Sequence, residues 1–391
     1  MGDALGRKPA LMTSMGLMTL STCGIGLIPD YNTIGGPILL LLNLRILQSF
    51  SFSGELSGAF IFIVEHAPLA KRGFYGSFGI VGMCSGSLLG CFVAWVIHIL
   101  LNPTAVVTWA WRIPFLLASL GGLLGWFMRR GVGETQLFHE MQRMPESFLD
   151  FYREYLKHIR KGIIIVGMTV FATVVSYLIY AFFFVYMTSV LDYTPRQTLT
   201  IRITSTIVLM LLMPFMGKIS DHIGRRPLLT GALFGAMIWI WPYFWLLQQG
   251  NFGLAMLAAL VMTLFAAAYF GVYMVAIVEV VPVQMRFRVV SLAYAVAISL
   301  FGGMTPFLAT LLLKTWHSYI GLAIFFLVCA LISLFAIYKT KETAYVPKSI
   351  AQKNKAGIAH IARDMLANGD SVEKVAAVTG LSKDNLQTMK S

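Results

Sequence analysis

The sequence predicts an all-α protein that crosses a membrane many times, and three observations lead to this fold class. Hydrophobic residues make up 58% of the 391 residues and charged residues only 12%, with a mean hydropathy of +0.76. Soluble domains are about half apolar and about a quarter charged. The apolar residues form long runs, and the basic residues collect between alternate runs. Lipid must therefore be part of the solvent of this chain.

Ten apolar runs are each long enough to cross a hydrocarbon core of about 30 Å as a helix. Helices are required because backbone groups that face lipid must find their hydrogen-bond partners within the segment. The predicted spans are residues 10–27, 38–64, 73–100, 110–127, 162–190, 198–217, 227–247, 253–281, 289–313 and 318–338.

The distribution of charge predicts how the chain is oriented. The formal net charge is +13, and 25 of the 30 Lys and Arg residues fall in alternate loops and in the C-terminal tail. Loops rich in Lys and Arg stay on the cytoplasmic side, so both termini are expected there. The basic excess thus indicates topology and not nucleic-acid binding. The predicted segments are an incomplete N-terminal bundle (1–128), a cytoplasmic linker (129–161), a C-terminal bundle (162–340) and a cytoplasmic helical tail (341–391).

Two motifs recur at nearly the same offset, which indicates an internal repeat. Asp3, Gly6, Arg7, Pro9 and Leu11 return 218 positions later as Asp221, Gly224, Arg225, Pro227 and Leu229. The Glu-to-Arg motif of residues 65–72 returns 214 positions later as residues 279–286. Internal repeats are a common way of building transporters.

The two copies of the repeat differ in length. Within the second half of the chain, two spans precede the loop that contains Asp221 and four follow it, whereas in the first half four spans follow the loop that contains Asp3 and none precedes it. The repeat therefore predicts an intact plan of six plus six spans, of which two are missing before Met1.

Six segments carry a family resemblance. They are G-D-A-L-G-R-K-P (2–9), R-I-L-Q-S-F-S-F-S-G-E (45–55), E-H-A-P-L-A-K-R-G (65–73), T-W-A-W-R-I-P-F-L (108–116), E-T-Q-L-F (134–138) and S-D-H-I-G-R-R-P (220–227). Over residues 1–345 the chain resembles the major facilitator superfamily, in particular its metabolite:proton symporters, the proline/betaine, α-ketoglutarate, citrate and shikimate transporters. It departs from their pattern at Ser49 and Ser53, where the family usually has Gly, and the family's first two helices are expected to be missing before Met1.

The resemblance implies two helical bundles and proton-coupled symport by alternating access. The expected substrate is a small polar metabolite, either a zwitterion such as proline or betaine or a small carboxylate. A monomer in a bacterial-type cytoplasmic membrane, without cofactor or metal, is also implied. The alternative is a truncated, non-transporting remnant or a membrane sensor that uses its cytoplasmic tail. An enzyme is not expected, because the sequence has no P-loop and no nucleophile–base or metal constellation.

The two Asp-to-Arg loops are candidates for a cytoplasmic gate, since the resemblance implies that such a loop helps to hold the outward-open state. The gate residues expected from these loops are Asp3, Arg7, Asp221, Arg225 and Arg226. A plain basic loop that only sets topology is the alternative.

Two Glu–Arg motifs extend the candidate gate. Glu65 and Arg72, and likewise Glu279 and Arg286, stand seven residues apart across a Pro that ends the helix. Carboxylates at the membrane edge need partners, and the basic gate loops can supply them. A network that is made in one conformation and broken in the other would be a switch. A static ion pair is the alternative.

Arg45, Gln48 and Glu55 are the main candidates for a proton and substrate pathway. They lie inside the 38–64 span, where charge is costly and usually marks a pathway or a proton relay. Arg45 and Glu55 are about 15 Å apart along a helix and about 80° apart around it, so they cannot pair directly but can face one cavity. Glu55 is the only acid deep in a predicted span, and Arg45 can bind a substrate carboxylate. An interhelical structural ion pair is the alternative.

Weaker pathway candidates are one arginine and four tyrosines. They are Arg202, close to the outer end of its span, and Tyr177, Tyr180, Tyr269 and Tyr273, which follow helical spacing in two spans. Aromatic faces can cage a quaternary ammonium group such as that of betaine. Core packing is the commoner use of such a stripe, and for Arg202 the alternative is a side chain that reaches back to the membrane surface.

Two further patterns lie outside these candidates. Gly82, Gly86 and Gly90 form a ridge of small residues that predicts close helix packing. The tail from about residue 350 has the pattern of short helices, but its nearly neutral charge argues against DNA binding. A docking or regulatory appendage is expected there.

Overall fold

The computed structural model describes residues 7–29, 38–131, 156 and 158–343. Asp3, the interior of the predicted linker and the predicted tail beyond Thr343 lie outside these residues. Within the described residues every regular element is a helix, as the all-α fold class requires.

The first bundle holds the four spans that precede the linker. Its helices are α1 (Arg7–Gly26), α2 (Ile38–His66), α3 (Arg72–Leu100), the short α4 (Pro103–Thr108) and α5 (Ile113–Arg130). Because α5 continues to Arg130 and the next helix begins at Ile159, the ends of the predicted 129–161 linker are helical.

The second bundle holds the remaining six spans. Its helices are α6 (Ile159–Val174), α7 (Phe182–Ser189), α8 (Pro195–Ile223), α9 (Arg225–Leu247), α10 (Phe252–Glu279), α11 (Arg286–Ala297), α12 (Thr305–Trp316) and α13 (Ile320–Tyr338). A π-helical segment, Val175–Ala181, joins α6 to α7 within one span, and a second one, Ile298–Gly302, follows α11.

Nine helical stretches of the described residues are long and apolar enough to cross a membrane, and they coincide with nine of the ten predicted spans. They are Ile38–His66, Leu69–Ile97, Ala110–Arg130, Ile159–Ser189, Pro195–Ile223, Arg225–Leu247, Phe252–Glu279, Val283–Trp316 and Ile320–Tyr338. The remaining predicted span, 10–27, forms helix α1, but its Ser, Thr and Gly residues make it less apolar than the others.

The repeated motifs produce the same local structure twice. After α2 the chain passes Pro68 and makes a 3₁₀ turn at Leu69–Lys71, and after α10 it passes Pro282 and makes a 3₁₀ turn at Val283–Met285. Pro ends each helix because it has no N–H to donate and its ring clashes with the preceding turn. Gly224 separates α8 from α9 with φ of +105°, a conformation that favours glycine.

In the second bundle, several large side chains around α10 are almost completely buried. Tyr269 of α10, Tyr243 of α9, Phe171 of α6 and Phe326 of α13 are each less than 2% exposed. The Phe171 ring packs edge to face against Tyr269 at 4.8 Å and against Phe326 at 5.4 Å between centroids. Such pairs add to the stabilisation that burial provides. In α10 every residue from Ala266 to Val278 is buried, so this helix is enclosed on all sides near its end.

The bundles meet where α3 packs along α8 and α10, and where α2 packs against α11. Glycine permits the closest of these contacts. A Cβ atom at Gly73 of α3 would overlap the backbone carbonyl of Gly217 in α8, and one at Gly76 would overlap Val275 of α10. A side chain at either position would therefore force α3 away from the helix that it contacts.

The ridge formed by Gly82, Gly86 and Gly90 of α3 does not make the close helix contacts that were predicted for it among the described residues. No atom of the described residues lies within 4 Å of a Cβ placed at Gly82, Gly86 or Gly90. The close packing predicted for this ridge is therefore not found within the described part of the chain, and α3 makes its close contacts nearer its start, at Gly73 and Gly76.

Candidate functional site

The loops after α2, α8 and α10 come together on one side of the membrane, which is called the basic side below and is the side predicted to be cytoplasmic. Asp221 of the second bundle lies at the beginning of α3 in the first. The Gly73 N–H donates to its Oδ1 at 2.8 Å and the Phe74 N–H donates to its Oδ2 at 2.9 Å. The first N–H groups of a helix have no partner within it and carry partial positive charge, so a carboxylate is stabilised there. Asp221 thus binds one bundle to the other.

Arg225 completes the same cluster from the start of α9. Its Nη1 lies 2.8 Å from Asp221 Oδ1 and also donates to the Ser220 hydroxyl, while its Nε lies 3.4 Å from Glu279 Oε2. The Arg225, Asp221 and Glu279 side chains are 2%, 4% and 7% exposed. One buried guanidinium therefore lies between two buried carboxylates, where charge and hydrogen bonds compensate the cost of removing them from water.

A second charged contact crosses between the bundles a short distance away. Arg286 Nη1, at the start of α11, lies 3.0 Å from Glu65 Oε1, near the end of α2, and the Glu65 side chain is fully buried. The Glu residues of the two Glu–Arg motifs therefore pair with different arginines: Glu65 with Arg286 of the other bundle, and Glu279 with Arg225. Among the described residues, Arg72 has a buried Nε without a hydrogen-bond partner.

Arg226 and Glu342 show a contact that the sequence did not reveal. Both oxygens of the Glu342 carboxylate accept hydrogen bonds at the start of α9, from the Arg225 N–H at 2.7 Å and from the Arg226 N–H at 2.9 Å. The Arg226 guanidinium in turn donates to the Tyr338 carbonyl at 3.3 Å. Glu342 follows the last helix, α13, and thus links the end of that helix to the candidate gate loop at the start of α9. Of the matching loop in the first bundle, Asp3 and the Arg7 side chain lie outside the described residues.

A polar contact between the bundles lies deeper than the charged network. The Ser57 hydroxyl of α2 lies 2.6 Å from the Ser291 hydroxyl of α11, and Ser57 is 1% exposed. A Cβ at Gly58 would meet the Phe287 ring. The charged groups, the paired glycines and this hydroxyl contact together hold the two bundles against each other on the basic side.

Glu55 pairs with Arg129, the first residue of the predicted linker. Its Oε1 lies 3.4 Å from Nη1 of Arg129, in the last turn of α5, and the Glu55 side chain is 23% exposed. The alternative of an interhelical ion pair is therefore realised in this conformation. A cavity of about 180 Å³ reaches Arg129 from the basic ends of α1 and α2 and is lined by Lys8, Leu11, Ala59, Phe62, Ile63 and Arg129.

Arg45 and Gln48 form a separate chain of contacts toward the opposite side of the membrane. Arg45 Nη1 donates to Gln48 Oε1 at 3.0 Å, and Gln48 Nε2 donates to the Thr22 hydroxyl of α1 at 2.9 Å. The Arg45 guanidinium also lies 5.9 Å from the centre of the Phe115 ring. As expected from their spacing, Arg45 and Glu55 do not pair with each other; both face α5, Arg45 at Phe115 near its start and Glu55 at Arg129 near its end.

The four tyrosines separate into two groups. Tyr269 and Tyr273 are buried, their rings stack at 5.6 Å, and the Tyr269 hydroxyl donates to the Met168 carbonyl of α6. Their placement favours the packing alternative over an open aromatic cage. Tyr177 and Tyr180 lie in the first π-helical segment and are half-buried.

The guanidinium of Arg202 lies beside the Tyr180 ring. Its guanidinium carbon is 6.0 Å from the centre of the Tyr180 ring, and the Tyr180 hydroxyl lies 3.4 Å from the Thr263 hydroxyl of α10. The structure thus brings two of the weaker candidates together, with Thr263 as a neighbour that the sequence did not reveal.

Replacement of Asp221 by Asn should weaken the closure of the basic side. Asn keeps the size of the side chain but removes the negative charge that α3 and Arg225 share, and breaking a buried ion pair costs about 3–5 kcal/mol. A cysteine placed at Ser57, in a chain whose four native cysteines are replaced, reports the closure. A membrane-impermeant maleimide added to the basic side should label it faster in Asp221→Asn.

The matched control for Asp221→Asn is His222→Asn, since His222 is the next residue and is exposed. It should leave the labelling rate at that of the parent chain. Equal labelling of the Asp221→Asn variant and its parent would contradict a role for Asp221 in closure.

Comparison with known proteins identifies the family of this chain. The sequence matches the family model described as Major Facilitator Superfamily over residues 1–306 and 203–379. The glycine betaine/proline/ectoine/pipecolic acid transporter OusA of Dickeya dadantii is 30% identical over 392 residues, which cover 97% of this chain and 78% of that protein. The citrate-proton symporter of Salmonella typhi is 32% identical over 318 residues, which cover 80% of this chain and 72% of that protein.

A solved structure has the same fold. The proton:xylose symporter XylE bound to 6-bromo-6-deoxy-D-glucose matches with a TM-score of 0.69 at 18% identity, over 88% of this chain and 82% of that one. The fold and the family match agree, and the relatives of similar sequence are transporters and proton symporters by name. The chain is therefore a multi-pass membrane transport protein and not an enzyme, and it belongs to the major facilitator superfamily.

Proposed function

We propose that this protein is a secondary active transporter that carries a small polar metabolite together with a proton by alternating access. The substrate class is a zwitterion such as proline or betaine, or a small carboxylate. The names of the relatives support this class, since they include proline, betaine, ectoine, pipecolic acid and citrate. We further propose a monomer in a bacterial inner membrane, with the basic side and both termini in the cytoplasm.

The observation that carries the proposal is the charged network between the bundles on the basic side. Asp221 binds the start of α3, and Arg286 binds Glu65, so each bundle contributes charged groups to contacts with the other. These contacts are hydrogen bonds and ion pairs, and they lie at the ends of the helices that pack between the bundles. Such contacts can be broken and remade as a unit, and alternating access requires a closure of this kind.

Glu55 is the proposed proton site. It is the acid within a predicted span of the first bundle, and its partner Arg129 borders a cavity at the basic side. In the proposed cycle, protonation of Glu55 removes its negative charge and releases Arg129. Loss of the proton toward the basic side restores the ion pair. Arg45 and Gln48 contribute to the pathway from the opposite side.

The gate residues divide into a network and its neighbours. Asp221, Arg225, Glu279, Glu65 and Arg286 form the proposed network, and Arg226 supports it through the backbone at Tyr338. Arg72, Asp3 and Arg7 are proposed to belong to the same gate on the basis of the internal repeat. The network breaks when the basic side opens and forms again when it closes.

Transport by the purified protein in liposomes tests the proposal. The expected result is uptake of radiolabelled L-proline, glycine betaine or citrate when an inward proton gradient is imposed, with loss of uptake when a protonophore collapses the gradient. Liposomes without protein are the control. Failure to take up any of the three, in vesicles where the protein is folded and monodisperse before reconstitution, would favour the non-transporting remnant or sensor.

A further inference from the structure

Arg202 is an arginine inside a membrane span with no acidic partner among the described residues. It lies seven residues after Pro195, the first residue of α8, which places its Cα about 10 Å along the helix from that end. Arg129, Arg225 and Arg286 each lie against a carboxylate, whereas the contact of Arg202 is with an aromatic ring. A charge inside a span is costly and is usually retained for function.

The guanidinium of Arg202 points into the protein. It lies over Tyr180, which is nine residues before Ser189, the last residue of α7, and thus about 13 Å from that end of the span. An arginine that reached back to the membrane surface would direct its guanidinium toward the helix end. The Tyr180 ring instead holds the cation within the span, through attraction to its π-face.

The surroundings of Arg202 include helices of the second bundle that pack against the first. Tyr180 belongs to the π-helical segment Val175–Ala181, and its hydroxyl lies 3.4 Å from Thr263 of α10. In the first bundle, α3 packs along α8, which carries Arg202, and along α10, which carries Thr263. Interruptions of this type within helices are frequent at functional sites. The cluster thus involves the π-helical segment, α8 and α10 of the second bundle, on the side where α3 of the first bundle packs.

We propose that Arg202 is the anchor for a carboxylate group of the transported substrate, with the Tyr180 hydroxyl as an adjacent hydrogen-bond donor. The proposal rests on the proposed transport function and narrows its substrate class to molecules with a carboxylate. A guanidinium presents a planar pair of N–H donors that matches the two oxygens of a carboxylate. The bound carboxylate supplies the negative charge that the described residues do not.

The same geometry determines how a zwitterion is recognised. The ring of Tyr180 already faces a guanidinium, so it is not free to cage a quaternary ammonium group. Glycine betaine is then recognised through its carboxylate, and choline, which carries a hydroxyl in place of that carboxylate, is not bound.

Ligand-induced stabilisation of the purified full-length protein in detergent tests this anchor without a proton gradient. Glycine betaine, L-proline and citrate are compared with choline as the ligand without a carboxylate. We expect at least one of the three carboxylates, and not choline, to raise the melting temperature. Arg202→Gln should weaken the apparent affinity by about 30-fold, as expected for the loss of hydrogen bonds to a charged group.

Two further variants separate recognition from folding. Arg202→Lys keeps the positive charge but loses the planar pair of N–H donors. It should bind the carboxylate ligand more weakly than the wild type and more tightly than Arg202→Gln. Arg196→Gln, at an exposed position in the first turn of the same helix, should bind like the wild type. The melting temperature without ligand shows whether each variant is folded.

Several outcomes would overturn the anchor. They are stabilisation of the wild type by choline equal to that by glycine betaine, no stabilisation by any carboxylate, and unchanged affinity in Arg202→Gln. Failure of the transport function gives a different pattern. Carboxylates would then bind and depend on Arg202, but no proton-driven uptake would occur in liposomes.

Discussion

Replacement of Glu55 by Gln is expected to abolish proton-driven uptake, while exchange of labelled for unlabelled substrate across the membrane continues in part. Gln has nearly the same size as Glu and can still accept a hydrogen bond from Arg129, which lies 3.4 Å from Glu55. It cannot gain or lose a proton in the range of the transport cycle. The proton should therefore no longer be coupled to substrate movement. Uptake under a proton gradient and counterflow without one are measured on the same liposomes.

The control for Glu55→Gln is Asp192→Asn, a change from acid to amide in the exposed loop before α8. Asp192 has φ of +55°, which Asn also tolerates, so the backbone should be unaffected. Both transport modes should then match those of the wild type. Equal loss of uptake and of counterflow in Glu55→Gln would instead identify the Glu55–Arg129 pair as structural.

Gly217→Val is expected to hold the basic side open. A Cβ at Gly217 would overlap backbone atoms of Gly73, and no rotamer change can relieve a clash with backbone. Overpacking of this kind costs about 1–3 kcal/mol. The cost falls on the closed state alone if the bundles separate here, so the ratio of open to closed molecules should rise by about 5- to 150-fold. Maleimide labelling of a cysteine at Ser57 from the basic side should increase accordingly.

Gly231→Val is the matched control for Gly217→Val. Gly231 lies in α9 of the same bundle, and no atom of the described residues lies within 4 Å of a Cβ at that position. The two variants share the cost of a β-branched residue in a helix, but only Gly217→Val should change the labelling rate. If Gly217→Val labelled no faster than Gly231→Val, the Gly73–Gly217 contact would not limit opening.

Asp221 and Glu342 illustrate what could and could not be read from the sequence. Asp221 was a candidate because its motif is repeated and because a carboxylate beside a helix start has a physical use. Glu342 binds two N–H groups at the start of α9 in the same manner, yet it stands 117 positions from Arg225 and in no repeated motif identified from the sequence. Proximity of this kind arises only when the last helix packs beside α9.

The ion pairs likewise show what could and could not be predicted from the sequence. The spacing of Arg45 and Glu55 correctly indicated that they do not pair, because distances along one helix follow from its rise. The partner of Glu55 is Arg129, at the end of another helix, and the partner of Glu65 is Arg286, in the other bundle. Neither partner follows from spacing, since the relative position of two helices depends on how all of their side chains pack.

The hydrophobic pattern of the sequence also did not predict which face of each helix is turned toward the protein interior. Tyr269 and Tyr273 occupy the core of the second bundle, whereas Tyr180, with similar spacing from its neighbour, lies beside Arg202. The glycine ridge of α3 lies away from the described helices, while Gly73 and Gly76 make the close contacts. In a span that is apolar on every side, hydrophobicity does not distinguish the inward face from the outward one.

The sequence by itself determined which segments are apolar and long enough to span a membrane, that basic residues collect between alternate segments, that two motifs are repeated, and which few charged residues lie within predicted spans. These properties depend on the local cost of placing polar groups in lipid, which each segment carries alone. The tertiary structure alone decided that Asp221 binds α3, that Glu55 meets Arg129, that Gly73 meets Gly217 and that Arg202 lies over Tyr180. These contacts depend on the rotation and crossing of neighbouring helices, which many side chains settle together.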